Sequence, residues 1–198
     1  QLIVAPTLAQ GANYITIASA LTAAVSGQTI FIRPGTYTED ITLKAGVNLA
    51  AYDSDGLTPN VIILGNTTAS YNGTVTLTGI QLRTNSAACL TFSGANSSTL
   101  YLNSCLINGN NATAISMNAA SFTLNLLSTR CITQSNNLLF SVTTGTLAFK
   151  NCDVSAGTNA NTIAAGAINM FNSVFGLFSI TTATTGSFNA YNSFFENS

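Results

Sequence analysis

The sequence predicts an all-β chain: a right-handed, single-stranded parallel β-helix of about eight turns with about three strands per turn, behind a short N-terminal capping α-helix. Three observations carry that reading. One five-residue pattern recurs along the chain at a nearly constant period. Further apolar columns recur in phase with it. A single helical stripe stands apart at the N-terminus.

The stripe comes first in the chain. Ile17, Ala20, Leu21, Ala24 and Val25 fall at i, i+3, i+4, i+7 and i+8, the spacing of an amphipathic helix. Thr16 supplies an N-cap oxygen and Gly27 suits the C′ position, so the helix is predicted over residues 17–26. Residues 1–28 are the N-terminal segment with its capping helix, and residues 29–198 the β-helix, expected to be a portion of a longer protein.

The repeat follows. Val75-Thr76-Leu77-Thr78-Gly79 sets an apolar–x–apolar–x–small pattern that returns five more times, centred on Leu102, Leu126, Phe149, Met170 and Ala190. The gaps between centres are 25, 24, 23, 21 and 20 residues, a coil whose loops shorten along its length. A second column sits five residues on: Leu82, Ile107, Cys131, Val154, Phe175 and Phe195. A third holds Leu90 and Phe92, Ile115 and Met117, Phe140 and Val142, and Phe178 and Ile180. Ile30 and Ile32, then Val47 and Leu49, extend the frame backwards, with residues 41–43 and 61–63 in their other strands. One such unit cannot bury its own apolar face; units stacked at ~4.8 Å bury it continuously. A leucine-rich repeat needs a fixed Leu-x-x-Leu-x-Leu pattern and a propeller blade about forty residues, and neither fits. The small residue that closes each pattern forms a column of its own: Gly79, Ser104, Ser128, Asn151, Asn172 and Asn192. Strand parity breaks there, so a bend at positive φ is expected, which Gly and Asn tolerate best. Stacked Asn amides can also bond turn to turn. The column is read as a structural ladder.

Composition narrows the function. Charged residues are 6% of the 198, against about 25% in an average soluble protein. There is no basic field for nucleic acid, and no apolar run near the ~20 residues a spanning helix needs, so neither nucleic-acid binding nor membrane insertion is expected. With no His, no Ser–His or Cys–His pair and no His-based zinc site can form. No glycine-rich phosphate loop occurs, and no cofactor is expected.

The segment Gly27-Gln28-Thr29-Ile30-Phe31-Ile32-Arg33-Pro34-Gly35-Thr36-Tyr37-Thr38-Glu39 resembles the opening of pectin-lyase-like parallel β-helix domains, as does Asn13-Tyr14-Ile15-Thr16-Ile17 before it. The resemblance implies a helix capping the first turn, then a strand, a Pro-Gly-Thr-Tyr turn and a second strand. It implies the scaffold more firmly than the activity: some such domains are polysaccharide lyases, hydrolases or esterases, others non-catalytic parts of surface proteins and phage tail fibres. The Thr/Ser/Asn-rich, charge-poor texture is most similar to the phage tail group.

The carboxylates are Glu39, Asp40, Asp53, Asp55, Asp153 and Glu196, and none lies between Gln81 and Cys152. A glycoside-hydrolysing pair needs carboxyls ~5–9.5 Å apart. Only Glu39/Asp40 and Asp53/Asp55 qualify by spacing, both near the capped end. Asp53 and Asp55 are also the only metal candidates, with an Asx-rich turn as the plainer reading. Arg83, Arg130, Lys44 and Lys150 read as solvated charges. Aromatics gather late: Phe171 and Tyr191 take outward strand positions and, with Tyr101, are the candidate ligand-binding residues, for sugars or a partner chain. Cys105 and Cys152 share a column two turns apart, ~9.6 Å against the ~7 Å Cα limit for a disulfide. Cys131 and Cys89 lie in other columns, so four free thiols and a reducing compartment are expected.

These readings together favour a non-catalytic β-helix segment of a phage tail fibre, tailspike or similar adhesin. It would be a homotrimer supporting a host glycan- or receptor-binding surface, located in the virion tail or otherwise at a cell surface. The alternatives are a polysaccharide lyase or hydrolase of the same fold, and a bacterial cell-surface adhesin.

Overall fold

The computed structural model describes residues 1–53, 59–84, 88–94, 97–110, 112–118, 121–132, 140–155, 161–176, 180–182 and 185–196. Three parallel sheets wind about one axis. Sheet A stacks Leu2–Val4, Thr29–Ile32, Asn48–Ala51, Gly73–Thr78, Ser97–Asn103, Ser121–Leu127, Thr146–Lys150, Ala167–Phe171 and Ser187–Tyr191. Sheet B runs from Gly35–Tyr37 through Val61–Leu64, Ile80–Arg83, Leu106–Asn108, Arg130–Ile132, Asp153–Ser155 and Val174–Gly176 to Phe194–Glu196. Sheet C runs from Ile41–Thr42 through Thr67–Ala69, Leu90–Phe92, Ile115–Met117, Phe140–Val142 and Asn161–Ile163 to Ile180–Thr182. The chain visits A, B and C in that order, giving about seven complete turns of a right-handed parallel β-helix.

The register follows the apolar columns. Leu77, Leu102, Leu126, Phe149, Met170 and Ala190 pair in sequence along sheet A. Leu82, Ile107, Cys131, Val154, Phe175 and Phe195 pair along sheet B. Alternation turns these inward, and Leu77, Leu102, Ile107, Cys131, Phe149 and Phe175 are wholly buried. Phe149 packs at 5.5 Å, edge to face, on Phe175. In the first turns Ile30 pairs with Leu49 rather than Val47, a two-residue shift of the extrapolated frame. On sheet C, Asn161–Ile163 makes a turn the pattern skipped, between those of Phe140 and Ile180. Phe178 lies outside the described residues.

The corner from sheet A to sheet B is the column of small residues. Ser104, Ser128, Asn151, Asn172 and Asn192 have φ of 51°, 48°, 54°, 48° and 47°, and Gly79 has 69°. The N–H of Gly79, Ser104, Ser128, Asn151 and Asn172 donates to the last sheet A carbonyl of the next turn, at 3.0–3.1 Å. The following position is small and buried: Cys105, Thr129, Cys152 and Ser173. Thr129 Oγ1 donates to Leu102 O at 2.9 Å, and the Cys105 and Cys152 thiols point to the equivalent carbonyls of Leu77 and Leu126. Each corner thus satisfies polar groups that the change of direction takes out of the sheet ladder.

The helix, α1 (Ile17–Ala23), closes the first turn with Ile17, Ala20 and Leu21 buried. Thr16 Oγ1 accepts from Ser19 N, as the N-cap expectation has it. The helix stops earlier than predicted. Ala24 is extended, Val25 is 61% exposed, and Lys44 Nζ takes the carbonyls of Thr22 and Ala24. Gly27, at φ 88°, donates to Gly46 O and serves the turn into sheet A. Among the described residues no helix is long and apolar enough to cross a membrane.

Candidate functional site

The outer face of sheet A carries the positions that alternate with the core columns. One outward column reads Thr76, Tyr101, Asn125, Ala148, Asn169 and Asn189; the next reads Thr78, Asn103, Leu127, Lys150, Phe171 and Tyr191. Ala148 is the smallest of these, and the gap above it is a groove of about 260 Å³. Tyr101, Asn125, Leu127, Lys150 and Phe171 wall it. Tyr101 is 41% exposed, Phe171 40% and Tyr191 56%.

Phe171 and Tyr191 are register neighbours, and their rings stack at 5.1 Å with planes 7° apart. A stack at the turn-to-turn spacing runs along the axis, so the free face of Phe171 looks back into the groove. Amides continue the array: Asn189 donates to Asn169 at 3.0 Å, and at the corner Asn192 donates to Asn172 at 2.8 Å. Lys150 is the one cation lining the groove. Just past it the chain turns at Asn151 and sets Asp153 opposite Arg130 on sheet B, Nε to Oδ2 3.5 Å. Both side chains are about three-fifths exposed (60% and 59%), so this pair adds little stability, at most ~1 kcal/mol. Its effect is to present an oriented carboxylate to solvent on the outer face of sheet B, past the corner that follows Lys150.

The three sequence-predicted ligand residues therefore converge: Tyr101 and Phe171 line one groove and Tyr191 backs it. Other candidates do not join them. Glu39 Oε1 and Oε2 accept the Ile17 and Ala18 N–H groups at 2.8 and 2.9 Å, which commits this carboxylate to α1. Asp40 Oδ1 accepts Asn66 N at 2.7 Å. Asp53 lies in a turn whose carbonyl accepts from Asn60, and Asp55 lies outside the described residues. Among the described residues no three metal-ligating side chains gather. The four cysteines are free and buried. Burial raises the Cys105 thiol to about 11 and the Cys89 thiol to about 12.

Sequence reading took Lys150 and Arg130 as solvated charges and Asp153 as an isolated acid. The signal that joins two of them was present: Arg130 and Asp153 are 23 residues apart, the same as the Leu126–Phe149 gap, which makes them neighbours on adjacent turns.

No protein-family model and no curated protein sequence matches the chain. Solved structures do. A pectin methylesterase variant in complex with a hexasaccharide is 12% identical, with a TM-score of 0.63 over 100% of this chain and 90% of that one. Deglycosylated pectin methylesterase from Aspergillus niger is 17% identical, with a TM-score of 0.64 over 98% and 85%. Pectin methylesterase from carrot is 12% identical, with a TM-score of 0.59 over 98% and 82%. The likeness establishes the fold. It also runs against two expectations, that the chain is a non-catalytic phage tail-fibre, tailspike or adhesin segment, and that an enzyme is the less favoured reading: these neighbours are enzymes. The error lay in equating few charges with no chemistry. A site needs only a handful of charged groups, and the coil brings together residues that look isolated in the sequence.

Proposed function

We propose that this chain acts on polysaccharide as an esterase or hydrolase, taking an acidic sugar chain across the outer face of sheet A. The observation that carries the reading is the groove that ends on the free face of Phe171 with Lys150 as its cation. A pyranose presents C–H groups that stack on an aromatic face and hydroxyls that bond amides, here Asn125. A uronate carboxylate pairs with Lys150. The neighbours named as pectin methylesterases, one of them holding a hexasaccharide, support the same substrate class.

Water activation is assigned to Asp153, which Arg130 orients and which stands three residues past Lys150 in the chain. Ester hydrolysis is the reaction that suits it. A two-carboxylate glycosidase needs a second acid ~5–9.5 Å away, and among the described residues the central turns offer Asp153 alone. One base suffices for water to attack an ester carbonyl, releasing the alcohol and leaving a carboxylate.

The test is incubation with methyl-esterified and de-esterified polygalacturonate, reading methanol release and new reducing ends separately. Methanol release without reducing ends, abolished in Asp153→Asn, is expected. Reducing ends as the sole product, or methanol release that survives Asp153→Asn, contradicts the assignment; absence of both products contradicts the activity.

A further inference from the structure

A second concavity lies at the other end of the coil, on sheet C beside α1. It holds about 580 Å³ between the helix residues Leu21 and Thr22, the strand residue Thr42 with the flanking Asp40 and Lys44, and Tyr71 of the next turn. Nothing described above uses it. Asp40, Thr42 and Lys44 alternate with the buried Ile41 and Leu43, so a carboxylate, a hydroxyl and an ammonium project in a row onto its floor.

Both charges are fixed by the scaffold with capacity to spare. Asp40 Oδ1 is held by Asn66 N at 2.7 Å, while among the described residues Oδ2 has no hydrogen-bond partner. Gly65 permits that placement: a Cβ there would run into Glu39 O and come within 2.8 Å of Asp40 Oδ1. Lys44 Nζ holds the carbonyls of Thr22 at 3.1 Å and Ala24 at 2.6 Å, which leaves its third proton for another acceptor. Tyr71 donates its hydroxyl hydrogen bond to Thr99 O, and burial pushes its phenol pKa above the ordinary range. The floor is polar, pre-oriented and balanced in charge. The walls are the apolar edges of Leu21, Leu43 and Tyr71.

From this we propose that the cleft is a second saccharide site, for a neutral, hydroxyl-rich ring. Asp40 Oδ2 accepts from ring hydroxyls, Thr42 and Lys44 donate to ring oxygens, and the ring's C–H surface meets Leu21 and Tyr71. A free carboxylate on the ligand gains from Lys44 what it loses to Asp40, so an anionic sugar has no advantage here. The sheet A groove, with Lys150 as its cation, has the opposite preference. The two sites lie on different sheets, and this one does not depend on the activity proposed above.

The test is titration of the full chain with methyl galactopyranoside, methyl glucopyranoside and galacturonate, followed by calorimetry and saturation-transfer NMR. In Phe171→Ala, which lacks the sheet A groove's stacking face, at least one neutral glycoside binds more tightly than galacturonate. Asp40→Asn weakens that binding by about tenfold or more, as expected for a lost charged acceptor. Thr42→Val, at an exposed side chain that makes no hydrogen bond among the described residues, weakens it severalfold with an unchanged melting temperature. Phe171→Ala leaves it unaltered. The proposal is overturned if no neutral glycoside binds, if galacturonate is preferred at this cleft, or if binding survives both cleft variants and falls in Phe171→Ala.

Discussion

Ser128 offers a direct probe of how the coil turns its corners. Its φ is 48° and its side chain is exposed, so a substitution there changes backbone preference with little change in packing. An ordinary L-residue pays roughly 1–2 kcal/mol to sit in the left-handed region. Glycine removes that cost but is freer in the unfolded chain, which takes back ~0.5–1 kcal/mol. Ser128→Gly is therefore expected to stabilise by ~0.5–1 kcal/mol, a rise of roughly 1–4 °C in melting temperature for a chain of this size. Ser128→Asn should stabilise by less than glycine, and Ser128→Val, β-branched at positive φ, should destabilise by at least ~1 kcal/mol. Thermal melts of the four proteins read this order directly. If valine equals serine and glycine melts lower than both, the corner is not strained in the way argued and the ladder owes its composition to something else.

Three further outcomes follow from the packing and capping. Glu39→Ala removes two charged hydrogen bonds from the N-terminus of α1 and is expected to cost ~2–3 kcal/mol, read as a lower urea midpoint; an unchanged midpoint means the cap is not held this way. Phe149→Ala empties a fully buried site against Phe175 and should cost ~3–5 kcal/mol, with loss below ~1 kcal/mol contradicting the core assignment. The raised thiols make stability fall with alkali. The unfolded chain begins to release these protons near 9.0, whereas the folded chain holds them until about 11 at Cys105 and about 12 at Cys89. The stabilisation is therefore whole below the unfolded value and is lost as pH rises through the folded ones. Melting temperature should drop from about pH 9 upward, with a shallower slope in Cys105→Ser; a flat profile contradicts the burial.

Much of the coil was legible because its forces are periodic. Leu102 must meet Leu77 and Leu126 wherever a single strand winds at this period, and the small residue two positions past each must bend. Charge pairing was legible in principle and missed, since Arg130 and Asp153 are distant in sequence and adjacent only in register. The cap shows the reverse case. Thr16 reads as an N-cap from its local sequence, but Glu39 reaches the same helix end from 22 residues away, and no local rule signals it. The groove is harder still. Its hollow comes from Ala148 standing between Asn125 and Asn169, and an alanine at an outward position looks like filler until the turns are stacked. The activity reading failed where composition was made to stand for geometry.

Under the proposed function, sheet A's outer face holds an acidic polysaccharide against Phe171 and Lys150. Affinity electrophoresis in gels containing polygalacturonate tests it most directly. The wild-type chain is expected to be retarded, with retardation lost in Phe171→Ala, weakened in Lys150→Ala and reduced by added salt. A wild-type chain that migrates as in an empty gel, or variants retarded as strongly as the wild type, contradicts the claim.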